Sequence, residues 1–226
     1  MDATAWPGVF REGRELFTVN ATPGERVYGE RLVTRGDLEY RAWDPFRSKL
    51  AALLLRGGPI ELPRSVRTVL YLGAAHGTTA SHLSDLWPQA AIFLVEKSVT
   101  SFAPLLALAR RRANLYPILG DAQLPERYAA DVGPVELLYQ DVAQRAQAAI
   151  FVENARTLLA PGGVGVLMLK IRSVTQRRSA AAIVRAAREE LTRAGLPVRG
   201  EVALAPFSRE HSALWVGMPA AASTLR

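Results

Sequence analysis

The stretch TVLYLGAAHGTTASHLSDLW, residues 68–87, constrains the fold of this chain most. An apolar run ends at a glycine, small residues follow, and a helix-like pattern then begins. Apolar runs and helical patterns keep alternating toward the end of the chain, which predicts parallel strands in a three-layer α/β sandwich. The predicted strands cover residues 66–72, 90–96, 115–121, 135–141 and 162–171, and the predicted helices cover residues 78–87, 101–113, 147–160 and 179–195.

The two ends of the chain follow other patterns. Residues 198–204 and 212–218 are strand-like with only a loop between them, which predicts an antiparallel hairpin at the sheet edge. Near the start, residues 16–20, 26–33 and 38–44 are predicted short strands separated by turns, and residues 45–58 a helix with Pro45 in its first turn. We therefore predict a small β-rich N-terminal domain with its leading helix in residues 1–55 and a larger α/β domain in residues 56–226.

Composition excludes several classes of protein. No apolar run of the 226 residues approaches the roughly 20 residues of a membrane span, so no membrane partner is predicted. The first residues lack the basic and apolar regions of a signal peptide. Cysteine is absent, which excludes disulfides and thiolate metal sites, and no metal is predicted. These features favour a cytoplasmic protein.

The charge of the chain is strongly basic and almost entirely arginine. A net charge of +7 favours a polyanionic partner, with nucleic acid first and acidic lipid second. Of the 28 basic residues, only Lys49, Lys97 and Lys170 are lysines. Arginine stays protonated whereas a buried lysine can lose its proton, so these lysines are candidates for proton transfer; the alternative is chance in a biased composition.

Chemistry-bearing residues stand where the predicted parallel strands end, which is where open α/β sheets bind ligands. Glu96 ends the second strand, 23 positions after Gly73, a spacing typical of a carboxylate that accepts hydrogen bonds from ribose hydroxyls. The dinucleotide and Walker fingerprints are both unmatched, and further acids, Asp121 and Asp141, face the same crevice. Such acids disfavour a pyrophosphate and favour a cationic sulfonium, S-adenosylmethionine, with Gly73 near its methionine portion and Asp121 near its adenine. The alternative is a plain turn with solvated acids.

A second group of residues predicts the reaction. Asp141 and Lys170 end adjacent strands, Lys49 lies on the helix before the first strand, and His211 lies in the last loop. A ribose 2′-hydroxyl needs its proton removed or oriented before it can attack a sulfonium methyl group. A desolvated Lys170 balanced by Asp141 fits that task, and His211 either relays the proton, holds the sugar or is merely structural. Among the other histidines, His82 is predicted to pack and His76 to face substrate or solvent.

Five segments together resemble the fibrillarin family, in particular its archaeal form: YRAWDPFRSKLAA, VLYLGAAHGTTASHLSD, PILGDA, DVAQ and PFSREHSALWVG. The resemblance runs from about residue 27 to residue 217. It implies a small β-rich domain before a Rossmann-like S-adenosylmethionine-dependent methyltransferase domain. It also implies 2′-O-methylation of ribosomal and transfer RNA at sites chosen by a box C/D guide RNA, on a Nop5 (Nop56/58-like) scaffold together with L7Ae.

The resemblance also implies residue roles. A Lys-Asp-Lys-His catalytic set maps onto Lys49, Asp141, Lys170 and His211. The family's cofactor contacts map onto Gly73, Thr78, Thr79, Glu96, Asp121, Ala122 and Gln144, and the predicted set adds Ala74, Lys97 and Asp141. The sequence departs from the family pattern at His76, where serine is usual, and at Arg145, where proline is usual.

The predicted function is therefore RNA ribose 2′-O-methylation by in-line displacement without a metal. Two alternatives stay open: a methyltransferase acting on a protein glutamine or on other RNA positions, and a non-catalytic RNA-binding assembly subunit. Arg110 to Arg112 and Arg172 to Arg178 are candidate phosphate contacts; the alternative, slightly favoured for residues 110–112, is a solvated helix face.

Overall fold

A computed structural model describes residues 1–57, 60, 63–174 and 179–219, which form two β-sheets with helices around the larger one. The smaller sheet is antiparallel and has the order β1-β2-β3-β5-β4. Its strands are β1 (Asp2–Ala3), β2 (Val9–Glu12), β3 (Glu15–Val19), β4 (Leu32–Arg35) and β5 (Leu38–Trp43).

The larger sheet has seven strands, which are β6 (Thr68–Leu72), β7 (Ala91–Glu96), β8 (Leu115–Leu119), β9 (Val135–Gln140), β10 (Leu159–Lys170), β11 (Val198–Ala203) and β12 (His211–Gly217). Their order is β11-β12-β10-β9-β6-β7-β8. The strands from β10 to β8 are parallel, and β12 is antiparallel to both β10 and β11. The predicted parallel sheet and terminal hairpin are thus confirmed. Strand order reverses between β6 and β9, so a crevice opens there beyond their carboxyl ends.

The helices cover both faces of the larger sheet. They are α1 (Lys49–Leu55), α2 (Thr78–Leu86), α3 (Val99–Ala109), α4 (Ala129–Val132), α5 (Gln147–Leu158), α6 (Ile171–Val174) and α7 (Ala180–Arg193), with a 3-10 turn at Pro125–Arg127. Successive β6 side chains point to opposite faces, so Val69 and Leu70 enter different cores. One core packs α1, α2 and α3, and the other packs α5 and α7, which completes the three predicted layers. No helix of the described segments is long and apolar enough to cross a membrane.

The smaller sheet shares its core with the larger unit. Leu16 and Trp43 of the smaller sheet are buried in the same cluster as Leu53 of α1 and Val69 of β6. Apolar packing is therefore continuous across the predicted domain boundary after residue 55, and the boundary itself stays a prediction.

Buried charges reinforce this contact. The Arg41 guanidinium binds Glu30 at 2.6 Å and Asp85 at 2.7 Å, and Asp85 also pairs with Arg112 at 2.6 Å. All four side chains are almost fully buried. Removing one partner of such a cluster typically costs about 3–5 kcal/mol, because the remaining charge stays buried. The cluster thus attaches the smaller sheet to α2 and to the segment after α3.

His82 of α2 packs at the same contact, as predicted. Its ring stacks on Trp43 at 4.8 Å between centroids, and its nitrogens hydrogen-bond the hydroxyls of Thr18 and Tyr28, each at 2.8 Å. Burial, with added repulsion from Arg41 and Arg112, holds the pKa of His82 well below its ordinary value. The ring is therefore a neutral structural element.

The N-terminal part of the chain differs from the prediction in three places. Residues 26–31 form a loop instead of a strand, because the Glu30 carboxylate turns inward and accepts the backbone N–H groups of Val27 and Tyr28. The helix predicted from Pro45 begins at Lys49, capped by Ser48, and Gly58 lies outside the described residues. Strands β1 and β2 were not predicted.

The helix predicted over residues 101–113 was wrong at its C-terminal end. α3 ends at Ala109, so Arg110 to Arg112 follow the helix. Arg112 is only 3% exposed and belongs to the buried charge cluster. Arg112 is therefore neither a phosphate contact nor part of a solvated helix face. Arg111 pairs with Glu25 at 3.4 Å.

Candidate active site

Two adjoining cavities occupy the crevice beyond the ends of β6, β7, β9 and β10. The first cavity, of about 330 Å³, is lined by Gly73, Ala75, Val95, Glu96, Lys97, Ser101, Gly120, Ala122, Asp141, Val142, Ala143 and Gln144. The second cavity, of about 530 Å³, is lined by Phe46, Arg47, Lys49, Tyr71, Gly73, Ala74, Ala75, His76, Thr78, Thr79, Asp141, Ala143, Lys170 and His211. They share four residues, Gly73, Ala75, Asp141 and Ala143. A ligand that passes between them would therefore run between the ends of β6 and β9.

Gly73 begins the turn that separates the two cavities. Its φ of +81° is a left-handed conformation, and a Cβ added there would lie 2.4 Å from the Asp141 carbonyl oxygen. Glycine is thus required by the close approach of two backbones. The sequence had suggested that Gly73 makes room for the cofactor, and the structure gives this second reason. Gly77, also left-handed, precedes α2, where a Cβ would meet Leu108 at 2.5 Å.

Glu96 stands at the end of β7 with its carboxylate in the first cavity. One oxygen accepts the Ala75 N–H at 2.9 Å, and the other accepts the Ser98 N–H at 2.7 Å. The residue is only 9% exposed. Because a carboxylate oxygen can accept two hydrogen bonds, each still has capacity for a hydroxyl donor such as a ribose hydroxyl.

Asp121 follows β8, and its carboxylate is already engaged. It accepts hydrogen bonds from Lys97 at 3.2 Å, from the Gln123 N–H at 3.0 Å and from Gln144 at 3.4 Å. Burial works to raise the pKa of Asp121, but these donors outweigh it and hold the pKa below its ordinary value. Its neighbours Gly120 and Ala122 line the first cavity. Contact between Asp121 and an adenine stays a prediction.

Asp141 and Lys49 form an ion pair in the second cavity. Lys49 Nζ donates to Asp141 Oδ2 at 2.7 Å, and the two side chains are 26% and 16% exposed. Burial raises the pKa of Asp141, and attraction to Lys49, and more weakly to Lys170, opposes that rise. The sequence had paired Asp141 with Lys170, whereas its direct partner in the structure is Lys49.

Lys170 and His211 face each other in register on β10 and β12. The Gln147 side chain fixes the backbone of Lys170: it accepts the Lys170 N–H at 2.8 Å and donates to the Lys170 carbonyl at 3.0 Å. His211, predicted in the loop, is instead the first residue of β12, and its Nδ1 is 2.8 Å from the Ser208 hydroxyl. Burial, with repulsion from Lys49 and Lys170, lowers the pKa of His211 to about 4.

Thr79, a predicted cofactor contact, is bound to protein through its side chain. Its hydroxyl hydrogen-bonds the Ser48 hydroxyl at 2.9 Å, and both residues are buried. Ser48 caps α1 by accepting the Ala51 N–H, so the pair connects the start of α1, where Lys49 lies, to the first turn of α2. Thr79 lines the second cavity, but its hydroxyl is already bound to Ser48.

The structure brings the predicted site residues together around the two cavities, with Asp121 beside them. Three residues that hydrogen-bond predicted site residues were not predicted, namely Ser48, Gln147 and Ser208, and neither was Tyr71, which lines the second cavity. Serine directly before an apolar helical run is a helix-cap signal that could have identified Ser48. Tyr71 is buried within β6 but borders the second cavity.

Other predicted residues have these positions. Ala74 is buried in the turn, while His76 is exposed at the rim of the second cavity. Arg172 pairs with Glu210 at 2.8 Å, and residues 175–178 of the second arginine segment lie outside the described residues. Within the described part of the chain, no group of three or more His, Asp or Glu side chains is arranged to hold a metal ion.

Comparisons with known proteins agree with this geometry. A family model described as Fibrillarin matches residues 3–219. A fibrillarin-like rRNA/tRNA 2′-O-methyltransferase of Aeropyrum pernix is 43% identical over 220 residues, which cover 94% of each chain.

Two solved structures are similar throughout. The Aeropyrum pernix fibrillarin with natively bound S-adenosyl-L-methionine has a TM-score of 0.86 and 42% identity, with 95% of this chain and 96% of that chain covered. A fibrillarin in complex with Nop5p has a TM-score of 0.86 and 36% identity, with 95% and 99% covered.

Proposed function

Because the chain belongs to the fibrillarin family, we propose that it transfers a methyl group from S-adenosylmethionine to ribose 2′-hydroxyls of ribosomal and transfer RNA. Its fold is that of a Rossmann-like S-adenosylmethionine-dependent methyltransferase with a small β-rich N-terminal sheet. The observation that carries the proposal is the pair of cavities joined at Asp141. One cavity presents an acceptor for ribose hydroxyls, and the other presents charged groups suited to proton transfer.

The first cavity fits the nucleoside of S-adenosylmethionine. Glu96 retains hydrogen-bonding capacity for ribose hydroxyls, and Gly120, Ala122 and Gln144 offer small and polar surface for a base. The α2 N-terminus has no acidic residue in its first turn, so the backbone N–H groups of Thr78 and Thr79 suit a carboxylate. Lys97 balances Asp121 at the cavity's edge. When bound, the cofactor supplies an electrophilic methyl group.

The second cavity provides the proton chemistry. We assign Lys170 as the group that withdraws the 2′-hydroxyl proton, with Asp141 orienting the hydroxyl as a hydrogen-bond acceptor. Lys49 favours the ionised form of Asp141 against the effect of burial, and an ionised carboxylate accepts the hydroxyl hydrogen bond. His211, whose pKa is lowered to about 4, is neutral near pH 7 and can hold the sugar without adding positive charge.

The proposed assembly is a box C/D guide ribonucleoprotein. A fibrillarin similar to this chain has been solved with Nop5p, which supports a Nop5 (Nop56/58-like) partner. A guide RNA that selects the target by base pairing, and L7Ae bound to that guide, complete the proposed particle. Because the guide supplies sequence choice, the protein needs to recognise only backbone and ribose. A cytoplasmic location follows from the proposed substrates and stays a prediction.

The experiment uses labelled S-adenosylmethionine with target RNA, guide RNA, Nop5 and L7Ae. Methylation at one nucleotide that makes its 3′ phosphodiester resistant to alkali supports the proposal, because alkaline cleavage needs a free 2′-hydroxyl. A target with a 2′-deoxy nucleotide at that site is the matched control and should take no label. Label on protein glutamine or on an RNA base would establish the rival methyltransferase function, and no label with any acceptor would establish a non-catalytic subunit.

A further inference from the structure

The second cavity continues into a neighbouring groove. Phe46 and Arg47 line both the second cavity and this groove, which has a volume of about 590 Å³ and runs along Tyr28, Arg31 and Trp43 of the smaller sheet and its loops. A polymer with one unit in the second cavity would therefore pass Phe46 and Arg47 as it leaves. The groove has no role in the mechanism described above.

Phe46 is an exposed aromatic residue held in a fixed position. It is 70% exposed, although large apolar side chains are usually buried. Its backbone N–H donates to Asp44 at 2.8 Å, and its ring meets the Phe207 ring edge-on with 5.3 Å between centroids. Phe207 packs against the core. Rigid exposed rings of this kind are the platforms on which single-stranded nucleic acids stack.

The charges of the groove suit a phosphate backbone. The Arg47 guanidinium lies 5.5 Å from the Tyr28 ring centroid, and among the described residues it makes no salt bridge. The Glu15 and Glu30 carboxylates in the groove are neutralised by Arg31 and Arg41. Arg47 and Arg14 then outnumber the one remaining carboxylate, Asp44. The groove beside the second cavity is thus weakly cationic and lined by aromatic side chains.

We propose that Phe46, supported by Phe207, contacts the RNA nucleotide next to the methylated one, and that Arg47 binds the phosphate between them. This inference rests on the proposed function, because it takes the ribose in the second cavity as given. It makes the smaller sheet part of the RNA-binding surface. It also assigns Phe46 and Arg47 as positioning residues, which act on binding of the acceptor strand and not on proton transfer.

The test compares variants in the assembled guide particle. Phe46→Ala is expected to raise KM for target RNA by roughly 5- to 150-fold, the equivalent of one lost base–aromatic contact. Affinity for S-adenosylmethionine and the thermal midpoint should stay at wild-type values. Phe46→Trp should restore KM, whereas Phe46→Leu should not. Tyr116→Ala removes another exposed aromatic, on β8, and should leave KM unchanged.

Arg47→Ala should weaken RNA binding. It should also reduce the slope of the logarithm of the RNA-binding constant against the logarithm of salt concentration by about one, because one phosphate contact is lost. Arg193→Ala, at the end of α7 and outside both the groove and the second cavity, is the matched control. A photoreactive 5-iodouridine next to the target nucleotide should cross-link to Phe46. The proposal is overturned if the wild type methylates ribose and Phe46→Ala keeps the wild-type KM for target RNA. It is also overturned if Phe46→Ala loses affinity for Nop5 and keeps its affinity for RNA, because the groove would then be a protein interface. If the wild type itself methylates no ribose, the proposed function fails instead.

Discussion

Lys49 Nζ lies 2.7 Å from Asp141 Oδ2, which joins the first residue of α1 to the residue that follows β9. Asp141 also lines both cavities, so its carboxylate stands where a methyl donor and an acceptor would meet. Burial raises the pKa of this carboxyl, and Lys49 opposes the rise. Lys49 therefore favours the negatively charged form of Asp141 at the junction of the two cavities.

Asp141→Asn tests that charge. The amide keeps the shape of the side chain but carries no negative charge, so it accepts a hydrogen bond from the hydroxyl less strongly. It also leaves Lys49 without its counter-ion. We expect the single-turnover rate of RNA methylation to fall by about 10²- to 10⁴-fold, the usual range for general acid–base groups. Asp131→Asn, an exposed carboxylate elsewhere, is the control. A rate for Asp141→Asn close to wild type would remove Asp141 from the chemistry.

Lys170→Arg tests the proposed base. Arginine keeps the positive charge but does not lose its proton in proteins. Because Gln147 holds the backbone at this position, the substitution should leave β10 in place. We expect the methylation rate to fall about 100-fold or more, while S-adenosylmethionine affinity is retained. Wild-type turnover by this variant would mean that another group takes the proton.

Gly73→Ala tests the close approach between β6 and β9. The added Cβ would lie 2.4 Å from the Asp141 carbonyl oxygen in a residue with φ of +81°. Gly24→Ala is a matched control, because its φ is +85° and nothing lies within 4 Å of an added Cβ. The control should lose only the roughly 1–2 kcal/mol of left-handed strain. Denaturant unfolding should show a loss larger by at least ~1 kcal/mol for Gly73→Ala, and equal losses would contradict the contact.

The Ser48–Thr79 hydroxyl pair should couple α1 to α2. Thr79→Val removes the hydroxyl at constant shape and leaves the buried Ser48 hydroxyl without that partner, which costs about 1–3 kcal/mol of unfolding free energy. A double-mutant cycle with Ser48→Ala should give a coupling energy of about 0.5–1.5 kcal/mol. Strict additivity of the two substitutions would show that the hydroxyls do not interact.

His211 should make stability depend on pH. Its pKa is about 4 in the folded chain and about 6.5 when unfolded, so between these values the unfolded chain binds more protons. The stability due to its neutral form is complete above pH 6.5 and is lost as pH falls toward 4. Between pH 7.5 and pH 5 the wild type should lose more unfolding free energy than His211→Asn does, and the two losses should differ by ~1–2 kcal/mol. An unchanged difference would mean that His211 is not buried as described.

Much of the site could be predicted because strand ends are readable from sequence. Glu96, Asp141 and Lys170 each follow or close an apolar strand, and parallel strands bring their carboxyl ends to one edge. Which of the charged side chains contact each other within the site was harder to predict from the sequence. Asp141 was assigned to its sheet neighbour Lys170, whereas Lys49 reaches it from α1. The placement of α1 rests on tertiary contacts, namely its buried apolar face and the hydrogen bond between Ser48 and Thr79.

The buried charges show a second limit of prediction from the sequence. A run of three arginines at the end of a predicted helix resembles a solvated surface, yet Arg112 is buried against Asp85. Its hydrogen-bond partners come from residues 22, 81, 84 and 85, which no local pattern connects to it. The loop at residues 26–31 was misassigned for the same reason, since Glu30 turns inward to reach Arg41. Long-range ion pairs override the local periodicity on which the prediction of strands and helices depends.

A crystal structure of this chain with S-adenosylmethionine tests the central claim most directly. The account predicts the ribose against Glu96 in the first cavity and the sulfonium methyl group directed toward Asp141 and Lys170 in the second. A nucleoside bound outside the first cavity, or a methyl group directed away from both side chains, would contradict it.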